Sequence, residues 1–161
     1  HPTCFEDLVI LNCMYRPGPM EYISTLVRQK HSKKAVKYII PCMEKYLHNT
    51  YGIIVYQEQI MMLSRLIANF DRGESDLLRK ALGKKKMDVL SVLKLRFIQG
   101  GIKNGHKKNA LEKVWNEMEA KGMYAFQKSH AVCYTWLAYQ IAYLKANYPD
   151  EFKQALEKYS D

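Results

Sequence analysis

The chain has 161 residues and a formal net charge of +9, from 25 Lys and Arg against 16 Asp and Glu; 48% of its residues are hydrophobic and 25% charged. That length suits one domain with a real core, and the composition is that of a globular protein, which excludes a disordered chain. Eight glycines and five prolines exclude collagen-like and low-complexity classes.

Helical periodicity dominates in chain order. Phe5, Leu8, Val9 and Leu11 predict a short helix to Met14, which Arg16-Pro17-Gly18-Pro19 must stop because two prolines remove donors and fix the backbone. A second helix, from about Met20 to Gln29, carries Ile23, Leu26 and Val27 on one face, and the basic stretch His31 to Tyr38 reads as a loop. Pro41 opens a helix with Met43, Tyr46 and Leu47, and Gly52 ends it. Ile53 to Tyr56 is the only β-like run. Gln57 to Phe70 is amphipathic through Ile60, Met61, Leu63, Leu66 and Ile67. Gly73-Glu74-Ser75-Asp76 starts the next helix, which Gly83 breaks. Met87 to Ile102 follows, closing in Gly100-Gly101, and then Asn109 to Glu119 with Leu111, Val114, Trp115 and Met118. Ala131 to Ala146 is apolar nearly all round and predicts a central, buried helix, with Ser129 as its N-cap. A last amphipathic segment runs from Pro149 to Lys158. The sum is an all-α, compact helical domain of roughly eight helices over residues 1–161, with at most a minor β element near 53–56.

Cys4, Cys13, Cys42 and Cys133 are widely spaced without a CxxC pair, which disfavours a zinc or redox motif and suggests reduced, buried thiols in a cytosolic protein. No basic leader with an apolar stretch opens the chain, and no apolar run approaches the ~20 residues of a spanning helix, so no membrane partner is expected. The lack of an initiator Met suggests a piece of a longer protein.

The charge is concentrated. Residues 79–108 carry ten basic side chains, Arg79, Lys80, Lys84, Lys85, Lys86, Lys94, Arg96, Lys103, Lys107 and Lys108, against the single acid Asp88, and the rest of the chain balances at fifteen of each sign. A basic stretch on a neutral body suggests a polyanion site, with a solvated lysine-rich face as the plain alternative. Around Gly83, three lysines can fan about one anion, yet Leu78 and Lys85 stand where a P-loop needs Gly and Ser or Thr. Phosphate binding and a solvated basic corner stand level there on local features. Lys128 and His130 flank Ser129 at a helix start, which attracts anions. No D-x-D pair or comparable carboxylate cluster is present to hold metals, and no nucleophile triad, so the chain alone is expected not to catalyse.

Phe5-Glu6-Asp7-Leu8-Val9, Tyr15-Arg16-Pro17-Gly18-Pro19, Tyr51-Gly52-Ile53-Ile54-Val55-Tyr56-Gln57-Glu58-Gln59, Gly73 to Lys86 and Lys128-Ser129-His130-Ala131 resemble, in order, the fingers region of the bacterial replicative DNA polymerase III α subunit, a C-family polymerase. The resemblance covers essentially the whole chain. It implies a helical fingers domain of a DNA-directed DNA polymerase that closes over the incoming deoxynucleoside triphosphate and contacts template-primer DNA. It places Arg79, Lys80, Lys84, Lys85, Lys128, His130 and Arg16 near the triphosphate, with Lys86, Lys94, Arg96, Lys103, Lys107 and Lys108 as candidates for the DNA backbone. It also implies catalytic aspartates and Mg2+ in a palm outside this segment, a thumb and other replisome subunits as partners, a cytoplasmic setting, and no cofactor held by the segment itself. An autonomous helical nucleic-acid-binding module and a helical protein-interaction module are the alternatives.

Overall fold

The structure, a computed structural model, describes residues 1–32 and 34–159. Within the described residues it is all-helical: α1 Phe5–Met14, α2 Ile23–Lys30, α3 Glu44–Leu47, α4 Gln57–Ala68, α5 Arg72–Gly83, α6 Met87–Lys103, α7 Lys108–Gly122, α8 Lys128–Asn147 and α9 Pro149–Tyr159, with 3-10 turns at Pro19–Tyr22, Pro41–Met43 and His48–Thr50. The expected helices are present, although the second and third are split into 3-10 and α portions that begin on prolines. Proline at the first helical position costs no hydrogen bond, so both segments start tightly.

Two cores share one seam. Helices α3 to α7 enclose Leu63, Ile67, Leu78, Phe97, Leu111 and Trp115, while α1, α2 and the start of α8 enclose Val9, Ile10, Cys13, Met14, Leu26 and Ala131. Ile53 to Tyr56 runs between them, and because successive side chains of an extended backbone point to opposite sides, Ile54 enters the first core and Ile53 and Val55 the second. The β-like run therefore forms no sheet; its pairing is a single parallel bridge between Tyr56 and Phe126.

Buried polar groups tie these parts. Gln59, buried at the start of α4, accepts from the N–H groups of Val55 and Tyr56 at 2.8 and 3.0 Å and donates to the Tyr46 carbonyl and Thr50 Oγ1 at 3.0 and 2.8 Å. Four bonds satisfy the amide and pair the Val55 and Tyr56 donors of the seam. Asp7, buried in α1, accepts from the Thr3 N–H at 2.8 Å, the Cys4 N–H at 3.2 Å, the Tyr51 hydroxyl at 2.8 Å and the Lys30 ammonium, joining α1, α2 and the corner after α3.

Two expectations about burial need correction. The apolar α8 is not central: among its residues only Ala131 and Thr135 are buried, and Tyr134, Trp136, Leu137, Tyr139, Ile141, Tyr143 and Leu144 remain 46–58% exposed. Phe5 of α1 packs edge-on against Trp136 and Tyr139, and among the described helices α8 packs mainly against α1 and α9, which leave these side chains half-open. Periodicity reports that a helix wants apolar neighbours, not that its own segment supplies them. Of the thiols, all free, only Cys13 is buried, where desolvation pushes it up to about 12; Cys42 is half-buried, and Cys4 and Cys133 are exposed. As expected, Gly100 and Gly101 lie in the closing turn of α6, where a Cβ on Gly100 would stand 2.2 Å from the Ala68 carbonyl oxygen and one on Gly101 2.3 Å from Leu111. They let α6 approach α4 and α7 closely.

Gly100→Ala is expected to cost about 2 kcal/mol through this overpacking, although Ala is the better helix former by about 1 kcal/mol; urea unfolding measures it. For Asp7, burial favours the neutral acid, but the Lys30 ammonium and the Thr3, Tyr51 and Cys4 donors outweigh it and hold the carboxyl well below the usual range. A lowered folded pKa contributes stability that is present above the unfolded value of about 4 and lost as pH falls through the folded value. Asp7→Asn should therefore lose about 3 kcal/mol at neutral pH, with the gap from the parent chain closing as denaturation is repeated below pH about 4. A gap independent of pH would show that the charge is not what holds α1.

Candidate functional site

Four consecutive residues at the start of α4 each make a long-range tie. The Tyr56 hydroxyl donates to Glu6 at 3.0 Å, and burial, then the Glu6 charge, raise its pKa so that it stays protonated. The Gln57 N–H donates to the Phe126 carbonyl at 2.9 Å, and the Phe126 N–H returns to the Val55 carbonyl at 2.9 Å. Glu58 accepts the Lys128 backbone N–H at 3.1 and 3.2 Å through its two oxygens. Gln59 secures the seam as described. The turn before α8 is thereby fixed against α4.

That junction collects four of the predicted site residues. Lys128 is the first residue of α8, and its half-exposed ammonium lies 3.0 Å from Glu6 and 5.1 Å from the centre of the Tyr56 ring. Arg79 on α5 is bonded to Asp76 at 2.7 and 2.9 Å, and its other nitrogen reaches Gln57 Oε1 at 3.4 Å. Arg16 bonds the Cys13 carbonyl at 2.9 Å and the Tyr124 carbonyl, and its guanidinium sits 4.7 Å from the centre of the Phe126 ring. Exposed His130 packs against the same ring at 5.4 Å and against Tyr134 at 4.5 Å. Arg16 and His130 thus share Phe126, and Lys128 and Arg79 share the first turn of α4.

Ser129 does not cap α8. It lies in the first turn, the N-cap is Gln127 without a side-chain bond, and the anion at this helix start is the internal carboxylate of Glu58.

The remaining cations lie along α5 to α7. Lys80 pairs with Asp76 at 2.6 Å, and its hydrogen bond, followed by that from Arg79, lowers the Asp76 pKa. Lys84, Lys85 and Lys86 are exposed in the turn after α5. The helix ends at Gly83 as expected, but the left-handed residue that turns the chain is Lys85, at φ +52°: the Lys86 N–H bonds the Ala81 carbonyl at 3.0 Å and the Lys85 N–H bonds the Leu82 carbonyl at 3.3 Å. This is a Schellman ending with lysine where glycine is usual. Lys94, Lys103 and Lys107 form no ion pair among the described residues, and exposed Lys108 approaches Glu112 only at 3.9 Å. Arg96 is committed within the fold, bonding Glu74 at 3.0 Å and the Ala68 and Asn69 carbonyls at 3.2 and 3.3 Å, over the Phe70 ring.

Glu6, Gln57, Glu58 and Phe126 were not singled out as site residues from sequence. A signal existed in Gln57-Glu58-Gln59, three polar residues at a helix start against a buried apolar run. As for metal, among the described residues no group of three or more His, Cys, Asp or Glu is placed to hold an ion, and Glu6 and Glu58 are engaged by Lys128. The donor set at the junction is cationic and does not fit a divalent metal.

Residues 1–105 match the family described as bacterial DNA polymerase III alpha subunit finger domain. Relatives include the DNA polymerase III subunit alpha of Aquifex aeolicus, 44% identical over 94% of this chain and 13% of the relative, and that of Treponema pallidum, 45% identical over 96% and 13%. The subunit of Thermus aquaticus is 44% identical over 96% of this chain and 13% of its own length. The chain therefore spans about 13% of the length of these relatives.

The left-handed lysine gives a direct check on the turn that presents the three lysines. Lys85→Gly is expected to raise stability by about 1 kcal/mol, read from the urea midpoint at unchanged m; a loss of stability would mean that the Lys85 side chain itself holds the turn.

Proposed function

The chain belongs to the bacterial DNA polymerase III alpha subunit finger-domain family, and from that premise we propose that residues 1–161 act as one fingers domain of a longer DNA-directed DNA polymerase, binding the triphosphate of the incoming deoxynucleotide and the template-primer. The observation that carries this reading is the gathering of Arg16, Arg79, Lys128 and His130 about the Tyr56 and Phe126 pairing, from the turn after α1, from α5 and from the start of α8. Convergent cations on rigid elements suit a polyphosphate.

Their role is electrostatic. Arg79 and Lys128 offer positive charge to the phosphate oxygens and to the pyrophosphate leaving group as charge builds there, and holding the nucleotide in line lowers the barrier by prepaying orientation. Both are half-exposed and paired with Asp76 and Glu6, contacts of the kind worth about 0–1 kcal/mol, so a triphosphate displaces those carboxylates at small cost. Lys80, Lys84 and Lys85 extend the same positive field along α5, and Lys86, Lys94, Lys103, Lys107 and Lys108 face the DNA backbone. Arg96 contributes its field from a fixed place.

Mg2+ and the aspartates that bind it belong in this reading to a palm elsewhere in the longer polypeptide, so the chain alone is inactive. Template-directed incorporation by purified residues 1–161 with magnesium and four deoxynucleotides would refute that. Palm, thumb and neighbouring subunits in the cytoplasm are the proposed partners, and the exposed apolar faces of α8 are where packing against the rest of the polymerase is expected. Among the described residues no helix is long and apolar enough to cross a membrane.

The unpaired lysines of the α5 to α7 segment also fit the second reading, an autonomous nucleic-acid-binding module, and salt dependence separates the two. In the full-length polymerase, replacing Lys84, Lys85 and Lys86 by Ala should flatten the slope of log K against log[salt] on duplex DNA by about 0.9 for each phosphate no longer neutralised, while residues 1–161 alone bind weakly. Tight, steeply salt-dependent binding by the isolated chain favours the module; an unchanged slope removes the turn from the DNA surface.

A further inference from the structure

We propose that Glu58 is a positioning residue for nucleotide binding, a role that rests on the polymerase reading above. Its carboxylate, in the first turn of α4, receives the Lys128 N–H on both oxygens, 70 residues along the chain. Neither Gln127 nor Ser129 caps α8 from within, so Glu58 supplies the acceptor that the helix start lacks. A negative charge there also meets the positive end of a 20-residue helix. The adjacent Gln57 is bonded through its N–H to Phe126 and through its side chain to Arg79. One turn of α4 thus sets the placement of Lys128 and His130, which project from the first turn of α8, relative to Arg79 on α5.

Without the carboxylate, the first N–H of α8 and the helix dipole are left open, and the first turn of α8 loosens while both cores keep their side chains. The cations then lose their mutual placement, not their charge. The loss falls on capture of the triphosphate, which needs several donors at once, more than on the rate once it is held.

The test is steady-state kinetics of the full-length polymerase carrying Glu58→Ala, Glu58→Gln, Lys128→Ala or Arg79→Ala, with melting temperatures measured alongside. Glu58→Ala is expected to raise KM for deoxynucleotide about tenfold, with kcat changed less than threefold. Glu58→Gln keeps an acceptor oxygen in place and should recover most of the KM. A KM that is unchanged or lowered, a loss confined to kcat, or a Gln variant as poor as the Ala variant overturns the proposal. Should Glu58→Ala not fold, Glu58→Asp carries the test: the charge is kept, the carboxylate is withdrawn by one methylene, and KM should rise about threefold, an unchanged value being contrary. If Lys128→Ala and Arg79→Ala leave KM unaltered, the polymerase reading of the site fails; if they raise it and the Glu58 variants do not, only the positioning role fails.

Discussion

Two backbone hydrogen bonds at Phe126, one donated to Val55 and one accepted from Gln57, hold this structure's two cores and its cationic site in one arrangement. Each such bond contributes only about 1 kcal/mol net, yet their place matters more than their strength. They fall at the seam where Ile53 to Tyr56 passes between the cores, and they bring the start of α8 beside the start of α4 across some seventy residues of sequence. An extended segment is required there because only alternating side chains can feed both cores at once. The Val55 and Tyr56 N–H groups would be unpaired without Gln59, whose amide is satisfied on all four sides.

The same junction explains how a basic protein gathers its cations and still keeps them available. Asp76 holds Arg79 and Lys80, and Glu6 holds Lys128, in pairs that remain half-exposed and so weak. Buried charge is handled differently: Asp7 and Lys30 are enclosed and multiply bonded, and their role is to fix α1 against α2. Stability and electrostatic function are thus separated by burial, with the former inside and the latter at the seam's outer edge. Lys85 in a left-handed conformation fits that division, since a glycine there would relieve strain but remove a charge.

Much of this was legible in the sequence because it was local. The periodicity of α4 and α7, the stop at Arg16 to Pro19, and the basic segment after Arg79 are all properties of adjacent residues. Capping was read less well: Asp71 and Glu74 form a reciprocal box that starts α5 at Arg72, before Gly73, and although α5 ends at Gly83, the left-handed residue that turns the chain lies two residues on. The α8 pattern demanded apolar neighbours without saying whose. The carboxylates Glu6 and Glu58 escaped notice because each acts on a residue more than fifty positions away, and no spacing rule reaches that far. Family membership was legible from the ordered motifs, whereas which cations converge was visible only once α1, α4, α5 and α8 were assembled.

The central claim is that cations from α5 and α8 act on one polyphosphate because the seam brings them together. A double-mutant cycle between Arg79 and Lys128, read as kcat/KM for deoxynucleotide in the full-length polymerase, tests it most directly. Two groups gripping the same triphosphate are coupled, and the account predicts an interaction energy of about 1 kcal/mol or more between the two substitutions. Losses that add to within about 0.3 kcal/mol would show that the two side chains act independently and contradict a shared site.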